Sequence, residues 1–170
     1  MTAYVALLRG INLGRRQLRM ADLRRIAAEL GLGSPRTYIA SGNLLFTSDQ
    51  GEKALKAELE KALQVHLGAP VGVMIRTARE MAAAAAANPF AEEPGSKVVA
   101  VFLDQAPPNN AADESKNVSG ERIEIGKREL FVHYPEGQGR SKLVIPAAAE
   151  GTARNMNSVA KLAELAKELE

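Results

Sequence analysis

The chain contains no cysteine and no tryptophan, it has only two histidines, and aromatic residues make up 4% of it. Without thiols, a disulfide framework, a cysteine nucleophile and a thiolate metal site are all excluded. His66 and His133 are too few for a histidine-rich centre, so no metal is expected. No apolar run approaches the roughly 18 residues of a membrane span, and no membrane insertion is expected. The start, Met1-Thr2-Ala3-Tyr4-Val5, has no basic region followed by an apolar core. It reads as lacking a secretory signal, which makes the cytoplasm the expected compartment. A formal charge of +2 names no partner by itself.

What is present is ordinary globular composition: 170 residues, 46% apolar and 25% charged. Residues 4–8 form a short apolar run of strand length, followed by the polar loop Arg9-Gly10-Ile11-Asn12-Leu13-Gly14. Leu23, Ile26, Ala27 and Leu30 recur at helical spacing, and Gly31 stands where a helix would stop. Residues 36–40 and 44–47 read as strands joined through Ser41-Gly42-Asn43. Asp49 with Glu52 has the form of a capping box, opening a helix with Leu55, Leu59, Ala62, Leu63 and His66 on one stripe and an end near Gly68. Residues 71–76 are again strand-like. The order to this point is β-α-β-β-α-β.

Thr77 and Glu80 form a second capping box ahead of an alanine-rich run that ends at Asn88-Pro89. Alanine loses no side-chain entropy in a helix, so this run needs no function to explain it. The pattern then restarts. Residues 98–103 are a buried-type strand, 110–116 a short helix, and 121–125 with 129–134 a hairpin placing Leu130, Val132 and Tyr134 on one face. Pro146 cannot lie inside a helix without a cost of about 3 kcal/mol, so a helix begins there or residues 143–145 are extended. Val159, Leu162, Leu165, Ala166 and Leu169 mark a clear final helix. The expected architecture is α+β: two tandem ferredoxin-like halves packed together, with a connecting and a C-terminal helix. The expected boundaries are 1–76, 77–96 and 97–170.

Four polar segments interrupt this frame: Arg9-Gly10-Ile11-Asn12, Ser41-Gly42-Asn43, Gly139-Arg140-Ser141-Lys142 and Thr152-Ala153-Arg154-Asn155. Each falls at a strand end or helix start, where backbone N–H groups are exposed and anions can bind. The sequence therefore suggests a binding site for an anionic ligand between the halves: a phosphorylated metabolite, a nucleotide or a nucleic-acid segment. In it Arg9, Arg140, Lys142 and Arg154 supply charge, while Asn12, Ser41, Asn43, Ser141 and Asn155 orient the ligand. No cofactor and no oligomeric state are indicated. Gly139-Arg140-Ser141-Lys142 lacks the residue order of a phosphate-binding P-loop.

Two other readings compete. A metal-independent enzyme would use Ser41 or Ser141 as nucleophile, with Lys142 or His133 as base. In a purely structural reading, Ser41-Gly42-Asn43 is a turn, Asn155 is a helix N-cap, and Arg9 and Arg154 satisfy buried carbonyls. His133 lies opposite Leu130 and Val132 and reads as a surface or partly packed residue. Arg9, Arg15, Arg16, Arg19, Arg24 and Arg25 crowd the first loop and helix with only Asp22 opposing them. They form either a phosphate-backbone patch or a solvated helix face.

The segment Leu7-Leu8-Arg9-Gly10-Ile11-Asn12-Leu13-Gly14 resembles that of a bacterial family of unknown function, domain-of-unknown-function family 1697. So do Met20-Ala21-Asp22-Leu23-Arg24, Arg36-Thr37-Tyr38-Ile39-Ala40-Ser41-Gly42-Asn43, Asn88-Pro89-Phe90, His133-Tyr134-Pro135, Gly139-Arg140-Ser141-Lys142-Leu143 and Thr152-Ala153-Arg154-Asn155. The resemblance implies an α/β fold of ferredoxin-like halves and no established activity, cofactor or catalytic residue. Two departures stand out: Arg15-Arg16 where the family carries glycine or lysine, and Met156 where it carries tryptophan.

Overall fold

A computed structural model describes residues 1–14 and 17–170. It is a mixed α/β structure with two four-stranded antiparallel sheets and four α-helices among the described residues. The chain divides into two compact units, one made of residues 1–81 with 162–170 and the other of residues 82–161.

The first unit contains β1 (Thr2–Leu8), α1 (Met20–Glu29), β2 (Gly33–Thr37), β3 (Asn43–Ser48), α2 (Glu52–Leu67) and β4 (Val73–Thr77), and α3 (Ala78–Ala86) follows. The β-α-β-β-α-β order expected of this half is present, with strand order β2-β3-β1-β4. Strand β1 is central, antiparallel to β3 with Tyr4 opposite Phe46 and to β4 with Ala6 opposite Ile75. Alternation sends Tyr4, Ala6 and Leu8 to one face, where they meet Leu23 and Ile26 of α1 and Leu55, Leu59 and Leu63 of α2. Each large aliphatic side chain buried there contributes about 1.5–3 kcal/mol relative to exposure. The other face, with Val5, Leu7, Leu45 and Arg76, is buried too, which is why β1 reads as a continuous apolar run.

Local chemistry explains the element ends. Gly31 and Gly68 follow α1 and α2 in the left-handed region, at φ 79° and 74°, as the glycine positions predicted. Pro35 sits in β2, an edge strand, where its missing N–H is tolerated and the register shifts between Gly33 and Arg36. Of the two predicted capping boxes, one forms. Thr77 N–H donates to Glu80 Oε1 at 2.9 Å and Glu80 N–H donates to Thr77 Oγ1 at 3.1 Å. The Asp49–Glu52 box does not form, because Gly51 takes the N-cap position and Glu52 is the first helical residue.

The second unit contains β5 (Val98–Phe102), β6 (Arg122–Ile125), β7 (Glu129–His133) and β8 (Thr152–Asn155), in the order β6-β7-β5-β8. α4 (Met156–Glu168) starts here and ends among residues counted with the first unit. The strand order repeats that of the first sheet, but the helices do not. The helix expected over residues 110–116 is instead a set of turns, and Lys116 bridges to Val144. Ala111 is the buried apolar residue of that stretch, and its polar neighbours offer no stripe to fold onto a core. Between β7 and β8 lie only two 3-10 turns, Gln138–Arg140 and Pro146–Ala148. Pro146 opens the second, and Ile145 before it is extended, so both resolutions of the proline conflict hold. The core of this unit joins Val99, Val101, Leu130, Val132 and Tyr134 to Ile145, a loop residue.

Candidate functional site

In the second unit, Arg140, Ser141 and Lys142 line one cavity of about 360 Å³ with residues 117–119, Glu121 and residues 134–137. The chain reaches it through Gly137, whose φ of 86° suits glycine, and the 3-10 turn Gln138–Arg140. Arg140 and Lys142 are exposed, and neither has a carboxylate oxygen within 4.0 Å among the described residues. Ser141 is half-buried. Its hydroxyl donates to Glu121 Oε2 at 2.6 Å and accepts the Leu143 N–H at 3.1 Å. The other Glu121 oxygen accepts the Ser119 N–H at 2.5 Å. The hydrogen bond from Ser141, then that from Ser119, hold the Glu121 carboxyl below its ordinary range. Burial, and next the nearby Glu121 charge, push Tyr134 upward, so its phenol stays protonated at neutral pH. A serine nucleophile needs a base to take its proton; Ser141 instead bonds to a carboxylate held ionised and therefore weakly basic.

Arg154 and Asn155 are not among the residues lining this cavity. Arg154, on β8, is buried, and its Nη1 donates to Thr152 Oγ1 at 2.7 Å and to Ala153 O at 2.9 Å. Burial lowers its pKa to about 10, which leaves it charged at neutral pH. Asn155 Oδ1 accepts the Ser158 N–H at 2.9 Å and so caps α4. Met156, which follows Asn155, is buried.

In the first unit, Asn12, Ser41 and Asn43 come together at one end of the sheet, with main-chain groups as their chief partners. Asn12 Nδ2 donates to Ala40 O at 2.6 Å and to Leu18 O at 3.1 Å, while its Oδ1 accepts the Leu18 N–H at 2.7 Å. This one side chain ties the loop after β1 to the turn before β3. Asn43, fully buried, donates to Tyr38 O at 2.8 Å and to Ser41 Oγ at 3.0 Å. The connection from β2 to β3 runs over residues 38–42, so the turn is longer than Ser41-Gly42-Asn43 and Asn43 belongs to β3. Gly42 is required twice over. Its φ is 92°, and an added Cβ would lie 2.6 Å from Ile11 Cδ1 and 2.9 Å from Leu8 Cβ. Arg9 is exposed beside Gly72, to whose carbonyl its N–H donates at 2.8 Å.

Four arginines of the predicted basic patch fall among the described residues, and Arg15 and Arg16 lie outside them. Arg19 pairs with Asp22 at 3.1 Å, Arg25 with Glu29 at 3.0 Å, and Arg24 donates to Thr37 Oγ1 at 2.6 Å. More than Asp22 therefore opposes the charge run.

A further cluster escaped the sequence reading. His133, expected at the surface or partly packed, is buried, because both faces of β7 are covered. Its Nδ1 lies 3.3 Å from Arg122 Nη2, its Nε2 3.8 Å from Glu93 Oε2, and its ring 5.9 Å from that of Phe90. Arginine only donates, so Nδ1 accepts and the neutral ring carries its proton on Nε2. The guanidinium of Arg122 stands 4.8 Å from the Phe90 ring centre. The usable signal was the pair Asn88-Pro89-Phe90 and His133-Tyr134-Pro135, two family-like segments that meet here. Among the described residues no group of three or more acidic or histidine side chains is placed to hold a metal ion, and no helix is long and apolar enough to cross a membrane.

Residues 1–131 match the family described as Protein of unknown function (DUF1697), and the chain belongs to it. A solved structure of a conserved bacterial protein from Streptococcus pneumoniae is similar over 98% of this chain and 99% of that one, with a TM-score of 0.81 and 26% identity. No curated protein is significantly similar to the chain.

Proposed function

We propose that this member of the DUF1697 family binds a small anionic ligand, a phosphorylated metabolite or nucleotide, in the cavity lined by Arg140, Ser141 and Lys142. One observation carries the reading: two exposed cations without a carboxylate partner within 4.0 Å, among the described residues, border the same cavity. A guanidinium offers bidentate donors to a phosphate and an ammonium offers a point charge, a common pairing for such groups. We also read the first sheet with α1 and α2 as a ferredoxin-like unit and the second as its counterpart in strand order without those helices, with boundaries at 1–76, 77–96 and 97–170. The first-unit residues support the structural alternative for their own segments, since Asn12 commits three hydrogen bonds to main-chain groups.

Thermal unfolding with methyl phosphate, nucleotides and oligonucleotides tests this. A ligand at 100 times its Kd stabilises the native state by about 2.7 kcal/mol and raises the midpoint. The double variant Arg140→Ala, Lys142→Ala should abolish the rise without lowering the ligand-free midpoint, because both side chains are exposed. A shallow dependence of affinity on salt is expected, whereas a nucleic-acid backbone would give a steep one. If no phosphate compound raises the midpoint, or if the double variant responds like the parent, the proposal fails.

A further inference from the structure

The same cavity carries acids as well as bases. Glu121 and Glu136 line it together with Arg140 and Lys142. A bare anion would use the cations and meet the carboxylates as a penalty. We infer that the ligand is a hydroxylated phosphate ester, with its phosphate at Arg140 and Lys142 and a hydroxyl donating to Glu121; this rests on the anion-binding reading above. Three features support it. Glu121 is anchored by two neutral donors, the Ser141 hydroxyl at 2.6 Å and the Ser119 N–H at 2.5 Å. The Glu121 backbone N–H also donates to the carboxylate, and of its roughly four acceptor sites about one remains for a ligand. Tyr134, whose pKa burial and then the Glu121 charge push upward, adds a neutral phenol to the lining beside Glu121 and Glu136. Val118, 53% exposed, and Pro135 add an apolar surface to the lining, suited to the carbon skeleton of a polyol or sugar.

The separation of charges within the lining accounts for both ends of such a molecule. A cation-only site would take inorganic phosphate equally well; this one is built to discriminate. A ligand amine could also seek the carboxylates, but it would share about 360 Å³ with an arginine and a lysine. A neutral hydroxyl avoids that repulsion.

Calorimetric titration of the full chain with methyl phosphate, ribose 5-phosphate and O-phosphoethanolamine separates these cases. Ribose 5-phosphate should bind about tenfold or more tightly than methyl phosphate, the usual worth of a hydrogen bond to a charged acceptor. Glu121→Gln should shrink that preference to about threefold or less while methyl phosphate binds at least as well as before. The wild-type ratio needs no variant, so it decides even if Glu121→Gln fails to fold. Equal affinity for methyl and ribose phosphates, lost in Arg140→Ala with Lys142→Ala, would overturn this inference and leave the anion reading intact. A preference for O-phosphoethanolamine would overturn it in favour of an ammonium donor. Binding of none of the three would overturn both.

Discussion

The two units share a strand order and differ in what covers one face of each sheet. In the first, α1 and α2 lay Leu23, Ile26, Leu55, Leu59 and Leu63 over the strands. In the second, turns and loops do that work, and Ile145, Ala111 and the Pro146–Ala148 turn supply the apolar cover. Helices satisfy their own main chain and present a regular stripe. Loops expose polar groups and leave gaps between their turns. The cavity with Arg140 and Lys142 lies among the loops, while the polar segments of the helical unit are drawn into holding it together. The contrast teaches where function can be accommodated on a repeated sheet: on the half whose cover is irregular.

Substitutions in matched positions sharpen that contrast. Leu59→Ala removes a fully buried side chain held between a helix and a sheet, and should cost about 3–4 kcal/mol. Ile145→Ala, at the loop-built cover, should cost about 2 kcal/mol because the loop can settle into the space. Hydrogen exchange read segment by segment would show each loss confined to its own unit. Equal losses would break the contrast. Next come two glycines of positive φ, Gly42 at 92° and Gly137 at 86°. Gly42→Ala adds collision with Leu8 and Ile11 to the strain of a positive φ, for about 2–3 kcal/mol in all, whereas nothing lies within 4 Å of the Cβ added at Gly137, where the glycine-only backbone at φ 86° and ψ 151° leaves strain alone, about 1–3 kcal/mol. Denaturant midpoints for the two variants measure the difference.

The smallest effect concerns one carboxylate in each unit. A hydrogen bond from Arg19, then the charges of Arg19, His66 and Arg25, hold Asp22 below its ordinary 3.8, while neutral donors hold Glu121 below 4.5. Each contributes stability that is present above its unfolded value and lost as pH falls through the lower folded one. Salt screens charges and hardly touches neutral hydrogen bonds. Raising ionic strength in a carboxylate titration followed by NMR should therefore move Asp22 toward 3.8 and leave Glu121 in place.

Much of the helical unit was legible because each signal there is local. Gly31, Gly68 and the Thr77–Glu80 pair act through their immediate neighbours. Asp49–Glu52 looks the same on paper and does not form a cap, since Ser48 Oγ accepts the Gln50 N–H at 3.0 Å and the chain enters α2 through Gly51. In the other unit the helix over 110–116 was misread, because helix-compatible residues without an apolar stripe have nothing to bury. For the candidate site, the Arg140-Ser141-Lys142 segment could be read directly. Its acidic counterpart Glu121 could not, because Glu121 and Ser141 are 20 residues apart and meet only through the fold. The depth of His133 is not legible for a related reason: alternation assigns a face and says nothing about whether that face is covered.

The first unit is assembled from two stretches of chain, since residues 162–170 are counted with residues 1–81. A ribosome delivers its sheet early and its closing helical turns some eighty residues later. The unit is therefore expected to ripen after its neighbour's strands have been made, and a fragment cut at residue 81 should behave as an unfinished product until the peptide 162–170 is returned to it.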